Sequence, residues 1–175
     1  MLRYLDPSLS HLLDGIASAS SATATLAYRR VDIAHPLDGF GFVVPRTERR
    51  PITAGTFSSV KYPGRAPEGH VLIRVFLGGA LDEAVLEQSD DALAATARAQ
   101  LAELIGARGE PLFTRVVRHP RAMPQYHVGH LARVEAIEQS VRRHRGLALA
   151  GAAYRGVGIA DCVHSGEEAV EKLLG

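Results

Sequence analysis

The closing stretch of the chain, residues 147–175, places the strongest limits on how this sequence can fold. It starts with the apolar run LALA, which is the pattern of a short strand buried on both faces. A glycine-rich turn follows this run. Beyond the turn, apolar side chains recur at helical spacing on one face: Ile159, Cys162, Val163, Ala169, Val170, Leu173 and Leu174. The pattern predicts a strand, a turn and an amphipathic helix.

The predicted turn has features of an anion site. Gly156 and Gly158 precede the helix, whose first backbone N–H groups have no partner within the helix and suit a phosphate or an electron-rich ring edge equally well. Asp161 in the first turn suits the positive end of the helix dipole. The dinucleotide fingerprint requires a third glycine five residues after the first, but Asp161 stands at that position after Gly156, and Val44 after Gly39. Taken alone, the pattern also suits a purely structural unit.

Upstream, the periodicity predicts strands in series and helices that cover them. Alternation of β-branched and aromatic residues predicts strands over residues 23–31, 39–44, 52–60, 70–77 and 112–119. Apolar residues at helical spacing predict helices over 6–16, 81–107 and 129–145. This order indicates an α+β fold with a mixed, mostly antiparallel sheet and one long helix. The doubly buried strand at 147–150 finds no partner sheet in this chain, so we expect that part of the fold is missing.

Composition limits the functional class and the compartment. The 175 residues are 46% hydrophobic, with 20 Lys and Arg against 19 Asp and Glu, a formal net charge of +1. We therefore expect no nucleic-acid partner. Cys162 is the single cysteine, which excludes an intramolecular disulfide and agrees with a reducing compartment. No run reads as a signal peptide or a membrane span. We expect a cytoplasmic protein, with peripheral membrane association left open.

Side chains alone indicate neither a catalytic set nor a metal site. His127 and His130 lie three apart, but no Cys, Asp or Glu accompanies them at ligand spacing, so we expect no metal. Ser165 falls within the last helix pattern, and no Gly-x-Ser-x-Gly turn occurs. The basic run at residues 142–145 suits the negative end of a helix dipole. We assign no catalytic side chain.

Four blocks of sequence have a more specific pattern. In chain order they are DGFGFVVP (38–45), VLIRVFLGG (71–79), MPQYHVGHL (123–131) and LALAGAAYRGVGIADCVHSGEEAV (147–170). Together they resemble the C-terminal part of the protoporphyrinogen oxidase family, within the flavin-dependent amine oxidase superfamily. The blocks have the family's order and span nearly the whole chain. The family's N-terminal flavin-binding half, with its Gly-x-Gly-x-x-Gly loop, has no counterpart here.

The resemblance implies an FAD-dependent oxidoreductase and a division into domains. Residues 1–146 would be the substrate-binding domain, and residues 147–175 the closing strand, turn and helix of a Rossmann-like FAD-binding domain. The backbone at Ala152, Val157, Gly158 and Ile159 would contact FAD. Because the cofactor accepts the hydride, such an enzyme needs no acid–base pair. We expect the fragment alone to be inactive, with the N-terminal half as its missing partner and with homo-oligomer formation left open.

The resemblance also implies a substrate and a wall that holds it. The complete enzyme would oxidise protoporphyrinogen IX to protoporphyrin IX with oxygen, in haem biosynthesis. The flat macrocycle would lie against strand residues that pattern alone would place in a core: Leu37, Phe40, Gly41, Ala54 and Ile73. Apolar side chains and glycine suit a large, mostly hydrophobic substrate. Phe42 and His119 depart from the residues usual in the family, which leaves the detail of the pocket open.

Three alternatives remain at this point. The substrate could be coproporphyrinogen III, whose four propionates rather than two favour a more basic pocket rim, and the sequence does not locate that rim. The chain could be a non-catalytic remnant that binds porphyrin. A carotenoid desaturase or an amine oxidase would share the closing turn but lack DGFGFVVP and MPQYHVGHL.

Overall fold

Alternating side chains in the middle of the chain form strands, as the sequence predicts. The computed structural model describes residues 2–175 and contains five strands. They are β1 (Ser18–Arg29), β2 (Gly41–Val43), β3 (Ala54–Phe57), β4 (His70–Gly78) and β5 (Phe113–Pro124). Six helices accompany them: α1 (Leu2–Leu5), α2 (Pro7–Asp14), α3 (Ser58–Lys61), α4 (Asp90–Ile105), α5 (His130–Val141) and α6 (Ile159–Leu174). The predicted α+β class is confirmed.

The contacts within the chain divide it into two units, which we describe separately. The sheet unit is Ala19–Ala122. The helical unit combines the residues up to Ser18 with Met123–Gly175. The division predicted at residues 146 and 147 concerns the domains of a longer protein, and it stays a prediction.

The strands form one sheet in the order β2-β3-β4-β1-β5, so β4 is the central strand. β4 pairs antiparallel with both β1 and β3, and β3 pairs antiparallel with β2. Two hydrogen bonds link β1 to β5 and the residue before it: Leu112 N donates to the Ala27 carbonyl (2.8 Å), and Arg121 N donates to Ser20 Oγ (3.0 Å). Residue numbers therefore rise on β5 as they fall on β1, and this pair is antiparallel as well.

One face of the sheet, the core face, is buried. Successive side chains of a strand point to opposite faces, and directly opposed residues of paired strands share a face. Ile73 on β4 is fully buried, and its partners Leu26 on β1 and Phe57 on β3 are buried with it. The core face of β1 and β4 consists of these residues: Ala22, Ala24, Leu26, Tyr28, Val71, Ile73, Val75 and Leu77.

Helix α4 packs into the same core as these residues. Ser89 caps it, with its Oγ accepting from Ala92 N (3.2 Å), and Gly106 ends it in the left-handed conformation (φ 63°). The helix is shorter than predicted, because Glu83–Glu87 forms a separate 3₁₀ turn and Ser89 is extended. Its buried stripe contributes Leu93, Ala97, Leu101 and Ile105 to the core.

In the helical unit, a polar cluster joins α2 to α5. Asp6 caps α2 by accepting from Leu9 N (2.9 Å). The other carboxylate oxygen of Asp6 accepts from His144 Nε2 (2.9 Å) and from Ser140 Oγ (3.0 Å). The hydrogen bond from His144 is the main reason why the pKa of Asp6 lies well below its usual range, followed by the bond from the Leu9 N–H.

The prediction of a terminal strand is wrong for the structure of this chain. Residues 147–150 precede α6 as predicted, but among residues 2–175 no strand lies beside them, and they form no ladder. A strand requires a neighbour for its N–H and C=O groups. Without a strand at 147–150, all the strand pairs described above are antiparallel, whereas the sequence predicts a mixed sheet. No helix in the described chain is long and apolar enough to cross a membrane.

Candidate functional site

In the helical unit, the segment between residues 151 and 158 is held by two stacked rings. Tyr126 and His130 lie with their ring centroids 3.9 Å apart and their planes at 10°. The Tyr126 hydroxyl donates to the Ala152 carbonyl (2.6 Å), and His130 Nε2 donates to the Tyr154 carbonyl (2.7 Å). Because a carbonyl only accepts, Nε2 of His130 carries the proton. The motif that contains Tyr126 and His130 thus positions this segment.

The start of the same segment is held through its backbone by α6. Gly151 N donates to Ser165 Oγ (2.9 Å), and that hydroxyl donates to the Cys162 carbonyl (2.8 Å). At the other end of the segment, Gly158 N donates to the carboxylate of Asp161 (3.2 Å). Both ends of the segment are therefore tied to the first turns of one helix.

A two-pronged ion pair completes the support of the segment. Arg155 donates from Nε and from a terminal nitrogen to the two carboxylate oxygens of Glu138 on α5, at 3.0 and 3.1 Å. These hydrogen bonds lower the pKa of Glu138 below its ordinary value and raise that of Arg155. Supports from α5, α6 and the Tyr126–His130 pair hold a segment that contains no regular secondary structure, as expected where backbone position matters for function.

Three of the four predicted cofactor contacts, Ala152, Val157 and Gly158, lie on this segment, and the fourth, Ile159, follows it directly. Ala152 is half-buried, whereas Val157, Gly158 and Ile159 are exposed. α6 begins at Ile159, so the positive end of its dipole faces outward beside Gly158. An added Cβ at Gly158 would lie 2.8 Å from Oδ2 of Asp161, although the φ and ψ of Gly158 (−69° and 151°) suit any residue. These residues fit the ring edge of a flavin, and their contact with FAD stays a prediction.

A cavity of about 850 Å³ lies in the helical unit, beside the segment. Its lining includes Leu147, Leu149, Tyr154 and Leu173. α6 contributes no buried residue at all, and Ile159, Val163 and Leu174 are more than half exposed. The predicted amphipathic helix is therefore present, but its apolar face is left uncovered by the rest of this unit.

In the sheet unit, the face opposite the core is open and carries two of the predicted wall residues. Gly41 on β2 lies opposite Thr56 on β3, and Ala54 on β3 lies opposite Phe76 on β4. Thr56 and Phe76 alternate with buried residues along their strands, so Gly41 and Ala54 belong to this open face. Phe40 precedes β2 and is 66% exposed. Glycine and alanine leave this part of the face flat, which suits contact with a flat ring.

Ile73 is on the other face. It is fully buried in the core, with no surface to offer a substrate. The structure places its neighbours Leu72, Arg74 and Phe76 on the open face instead, because Val71, Val75 and Leu77 are buried together with Ile73. The signal that could have shown this is the charge of Arg74 among the apolar residues 71–77, which marks the side that faces away from the core.

Leu37 lies in a loop that its neighbours hold in an uncommon conformation. Its φ is +56°, and its side chain is buried. Leu37 N donates to His35 Nδ1 (2.9 Å). The guanidinium of Arg30 donates to three loop carbonyls, those of Ile33, His35 and Pro36, at 2.7, 3.0 and 3.0 Å. A left-handed, bulky, non-glycine residue costs about 1–2 kcal/mol, so the loop is held in place by its surroundings. Sequence reasoning missed both Arg30 and His35.

A second cavity, of about 400 Å³, lies in the sheet unit. It includes Gly41 among its lining residues, together with Phe42, Arg50 and Leu104. Phe42 and Leu104 pack against the core, so this cavity borders the core side of the sheet. Leu37, Phe40, Ala54 and Ile73 do not line it. Of the five predicted wall residues, Gly41 and Ala54 lie on the open face, whereas Leu37 and Ile73 are buried in the core. Their contact with a substrate stays a prediction.

Comparison with known proteins gives matches along nearly the whole chain. Residues 3–174 match the family model described as flavin containing amine oxidoreductase. Over 158 residues the chain is 39% identical to a coproporphyrinogen III oxidase from Staphylococcus aureus, covering 90% of this chain and 34% of that protein. Over 174 residues it is 32% identical to the protoporphyrinogen oxidase of Homo sapiens, covering 95% of this chain and 36% of that protein.

A solved structure shares the fold described above. The crystal structure of a candidate protoporphyrinogen oxidase from Exiguobacterium sp. 255-15 superposes with a TM-score of 0.84 at 31% identity, covering 98% of this chain and 38% of that chain. The chain thus spans about a third of the length of the curated relatives it matches.

Proposed function

Since the chain belongs to the flavin-containing amine oxidoreductase family, we propose that it is the C-terminal third of an FAD-dependent porphyrinogen oxidase whose substrate is coproporphyrinogen III. The complete enzyme removes six electrons and six protons from the porphyrinogen in three steps. Oxygen is the final acceptor, and three molecules of it become three of hydrogen peroxide. The product is the aromatic porphyrin of haem biosynthesis.

The observation that carries this proposal is the identity to coproporphyrinogen III oxidases. The chain is 39% identical to the coproporphyrinogen III oxidase from Staphylococcus aureus. It is 32% identical to the human protoporphyrinogen oxidase. This difference favours coproporphyrinogen III over the protoporphyrinogen IX that the sequence pattern alone suggested. Protoporphyrinogen IX remains the second candidate, supported by the human relative and the Exiguobacterium structure.

In this proposal the segment at residues 151–158, together with the start of α6, holds the flavin. The backbone of Val157, Gly158 and Ile159 would meet the pyrimidine end of the ring, with Ala152 along the same edge. The α6 N-terminus would stabilise negative charge there, because its dipole is positive at that end. The flavin accepts the hydride when bound. Tyr126 and His130 hydrogen-bond to the Ala152 and Tyr154 carbonyls. They would therefore keep the backbone that contacts the flavin in position.

The open face of the sheet serves as the substrate wall in this proposal. Gly41 and Ala54 are small, and Phe76 lies opposite Ala54 on the central strand. A flat macrocycle would cover these residues and keep water from them. Apolar lining with few polar groups is typical of sites for large hydrophobic ligands.

The cavity and the exposed α6 face support the view that further polypeptide completes the helical unit. Residues 147–150 are apolar and form no strand pair within the described chain. An apolar run followed by a helix would suit a strand of a parallel sheet covered on both faces, if further polypeptide supplied its neighbours. These observations support the domain division at residues 146 and 147, which remains part of the proposal.

A chimaera tests the proposed function. The corresponding third of the Staphylococcus aureus coproporphyrinogen III oxidase is replaced by this chain, and fluorescent porphyrin is measured with each porphyrinogen. We expect the chimaera to retain flavin and to oxidise coproporphyrinogen III faster than protoporphyrinogen IX. A folded, flavin-loaded chimaera that oxidises neither would refute the proposal, and the opposite preference would favour protoporphyrinogen IX.

A non-catalytic porphyrin-binding protein is the second functional class. A flavin titration of the purified chain separates it from the proposal. Tight flavin binding would mean that the supported segment suffices, or that a second copy completes the site. Porphyrin binding without flavin binding, together with an inactive chimaera, would establish the non-catalytic class.

A further inference from the structure

An arginine lies at the centre of the open face of the sheet. Arg74 is on β4, the central strand, and it is exposed. The register places it directly opposite Thr25 on β1 and Thr56 on β3. Directly opposed residues of antiparallel strands have Cβ atoms about 4.5–5.5 Å apart. One guanidinium and two hydroxyl groups therefore share one small area of the sheet.

Arg74 has no carboxylate partner within the part of the chain that the structure describes. Four other arginines of the sheet unit are each paired with an acid: Arg29 with Asp32, Arg50 with Glu103, Arg98 with Glu110 and Arg118 with Asp90. The two side chains that flank Arg74 are neutral, and both can donate to an anion. The site therefore offers a positive charge and hydroxyl donors with no protein carboxylate paired to the arginine, which suits a carboxylate ligand.

Apolar surface borders the arginine along the same face. Phe76 follows two residues later on β4, about 6.6–6.8 Å along the strand, and it lies opposite Thr23 on β1 and Ala54 on β3. Phe76 is half-buried. A flat apolar ring that covers Phe76 and Ala54 would have its edge beside Arg74. The arrangement suits a ring that carries an acid on a short side chain.

We propose that Arg74, with the hydroxyls of Thr25 and Thr56, binds a propionate carboxylate of the porphyrinogen and favours the substrate with four propionates. A guanidinium pairs with a carboxylate through two parallel hydrogen bonds, which makes arginine a specific partner for this group. Because no protein carboxylate is paired with Arg74 in the described chain, a ligand carboxylate can pair with it directly. This inference rests on the proposed function, because it presumes that the open face is the substrate wall.

The test measures porphyrin binding by the purified chain, through quenching or shift of porphyrin fluorescence in one detergent-containing buffer. The ligands are coproporphyrin III, protoporphyrin IX and the tetramethyl ester of coproporphyrin III, which keeps the ring but has no carboxylate. The variants are Arg74→Met, which keeps the apolar stem, and Arg74→Lys, which keeps the charge. Arg108→Met is the matched control, since Arg108 is also exposed and follows α4 in the sheet unit.

We expect Arg74→Met to weaken coproporphyrin III binding about tenfold, which corresponds to about 1.4 kcal/mol. Its binding of the ester should equal that of the wild type. Arg74→Lys should recover part of the loss, and Arg108→Met should bind like the wild type. Protoporphyrin IX should lose less affinity than coproporphyrin III, because it has fewer carboxylates.

Two outcomes would overturn the inference. Equal coproporphyrin III affinity in the Arg74→Met and Arg108→Met variants would show that Arg74 recognises no carboxylate, while an active chimaera would leave the proposed function standing. A wild-type chain that binds the ester as tightly as the free acid would show that the open face does not recognise carboxylates. The chimaera would then decide the proposed function separately.

Discussion

Replacing Arg30 by methionine should destabilise the sheet unit and release the loop that carries Leu37. The guanidinium donates to the carbonyls of Ile33, His35 and Pro36. Methionine retains most of the apolar stem but has no donor. The variant therefore isolates the hydrogen bonds from the packing of the side chain.

The magnitude follows from the exposure of each bond. The bonds to Ile33 and His35 are partly buried, whereas the bond to Pro36 is exposed and water can replace it. A net value of about 1.5 kcal/mol for each of the two partly buried, charge-assisted bonds gives a loss of about 3 kcal/mol in the free energy of unfolding. This is a large fraction of the 5–15 kcal/mol typical of a domain.

The neighbouring arginine provides a matched control. Arg29 donates to both carboxylate oxygens of Asp32 at 2.8 and 3.1 Å, but its side chain is 63% exposed. Exposed ion pairs contribute about 0.2–1 kcal/mol, so Arg29→Met should cost less than about 1 kcal/mol. The same change of residue type at adjacent positions should thus give clearly different results.

Urea unfolding followed by far-UV circular dichroism measures both variants at 25 °C, with the slope m compared to exclude a change in the unfolded state. Hydrogen exchange at Leu37, whose N–H is bound by His35, should become faster in Arg30→Met only. A loss of stability equal to that of Arg29→Met, with unchanged exchange at Leu37, would refute the idea that Arg30 holds the loop.

Three further predictions concern the helical unit. Tyr126→Phe keeps the ring stack but removes the bond to the Ala152 carbonyl, so amide exchange in residues 151–158 should become about fivefold faster; unchanged exchange would count against the support described above. The pKa of Asp6 is lowered in the folded chain by its hydrogen bonds. Its contribution to stability should therefore be complete above the unfolded pKa of about 3.9 and be lost as the pH falls through the folded value. Urea unfolding at several pH values should show a weaker loss toward acid pH in Asp6→Asn, and identical profiles would contradict this. In the chimaera, Gly158→Val should lower flavin content, because a Cβ there meets Oδ2 of Asp161 at 2.8 Å, and full flavin occupancy would remove Gly158 from the proposed cofactor contact.

The family and the types of most elements could be predicted from the sequence. Four sequence blocks predicted the family, and the match over residues 3–174 confirms that prediction. The helix predicted at 129–145 forms at His130–Val141, and α6 begins at Ile159, where its apolar periodicity starts. The two helices depend on side chains three or four residues apart, so their positions can be predicted from the local sequence.

The site was only partly predictable. The resemblance identified Gly41 and Ala54, which lie on the open face, but it also named Ile73, which is buried. Tyr126 and His130 stood in a recognised block, yet their bonds to carbonyls more than twenty residues away could not be read from their spacing. Arg30 has three carbonyl partners within six residues, but nothing in the sequence distinguishes it from Arg29.

The α+β class, the flavin-containing family, the amphipathic closing helix and the glycine turn before it can all be derived from local patterns and motifs in the sequence. The side of β4 that faces the core cannot be derived in this way, because alternation defines two faces and the burial of Ile73 with Leu26 and Phe57 is what distinguishes them. The absence of a strand at residues 147–150 is likewise visible in the folded chain alone. A strand depends on hydrogen bonds to a neighbouring chain segment, and no local pattern can supply that segment.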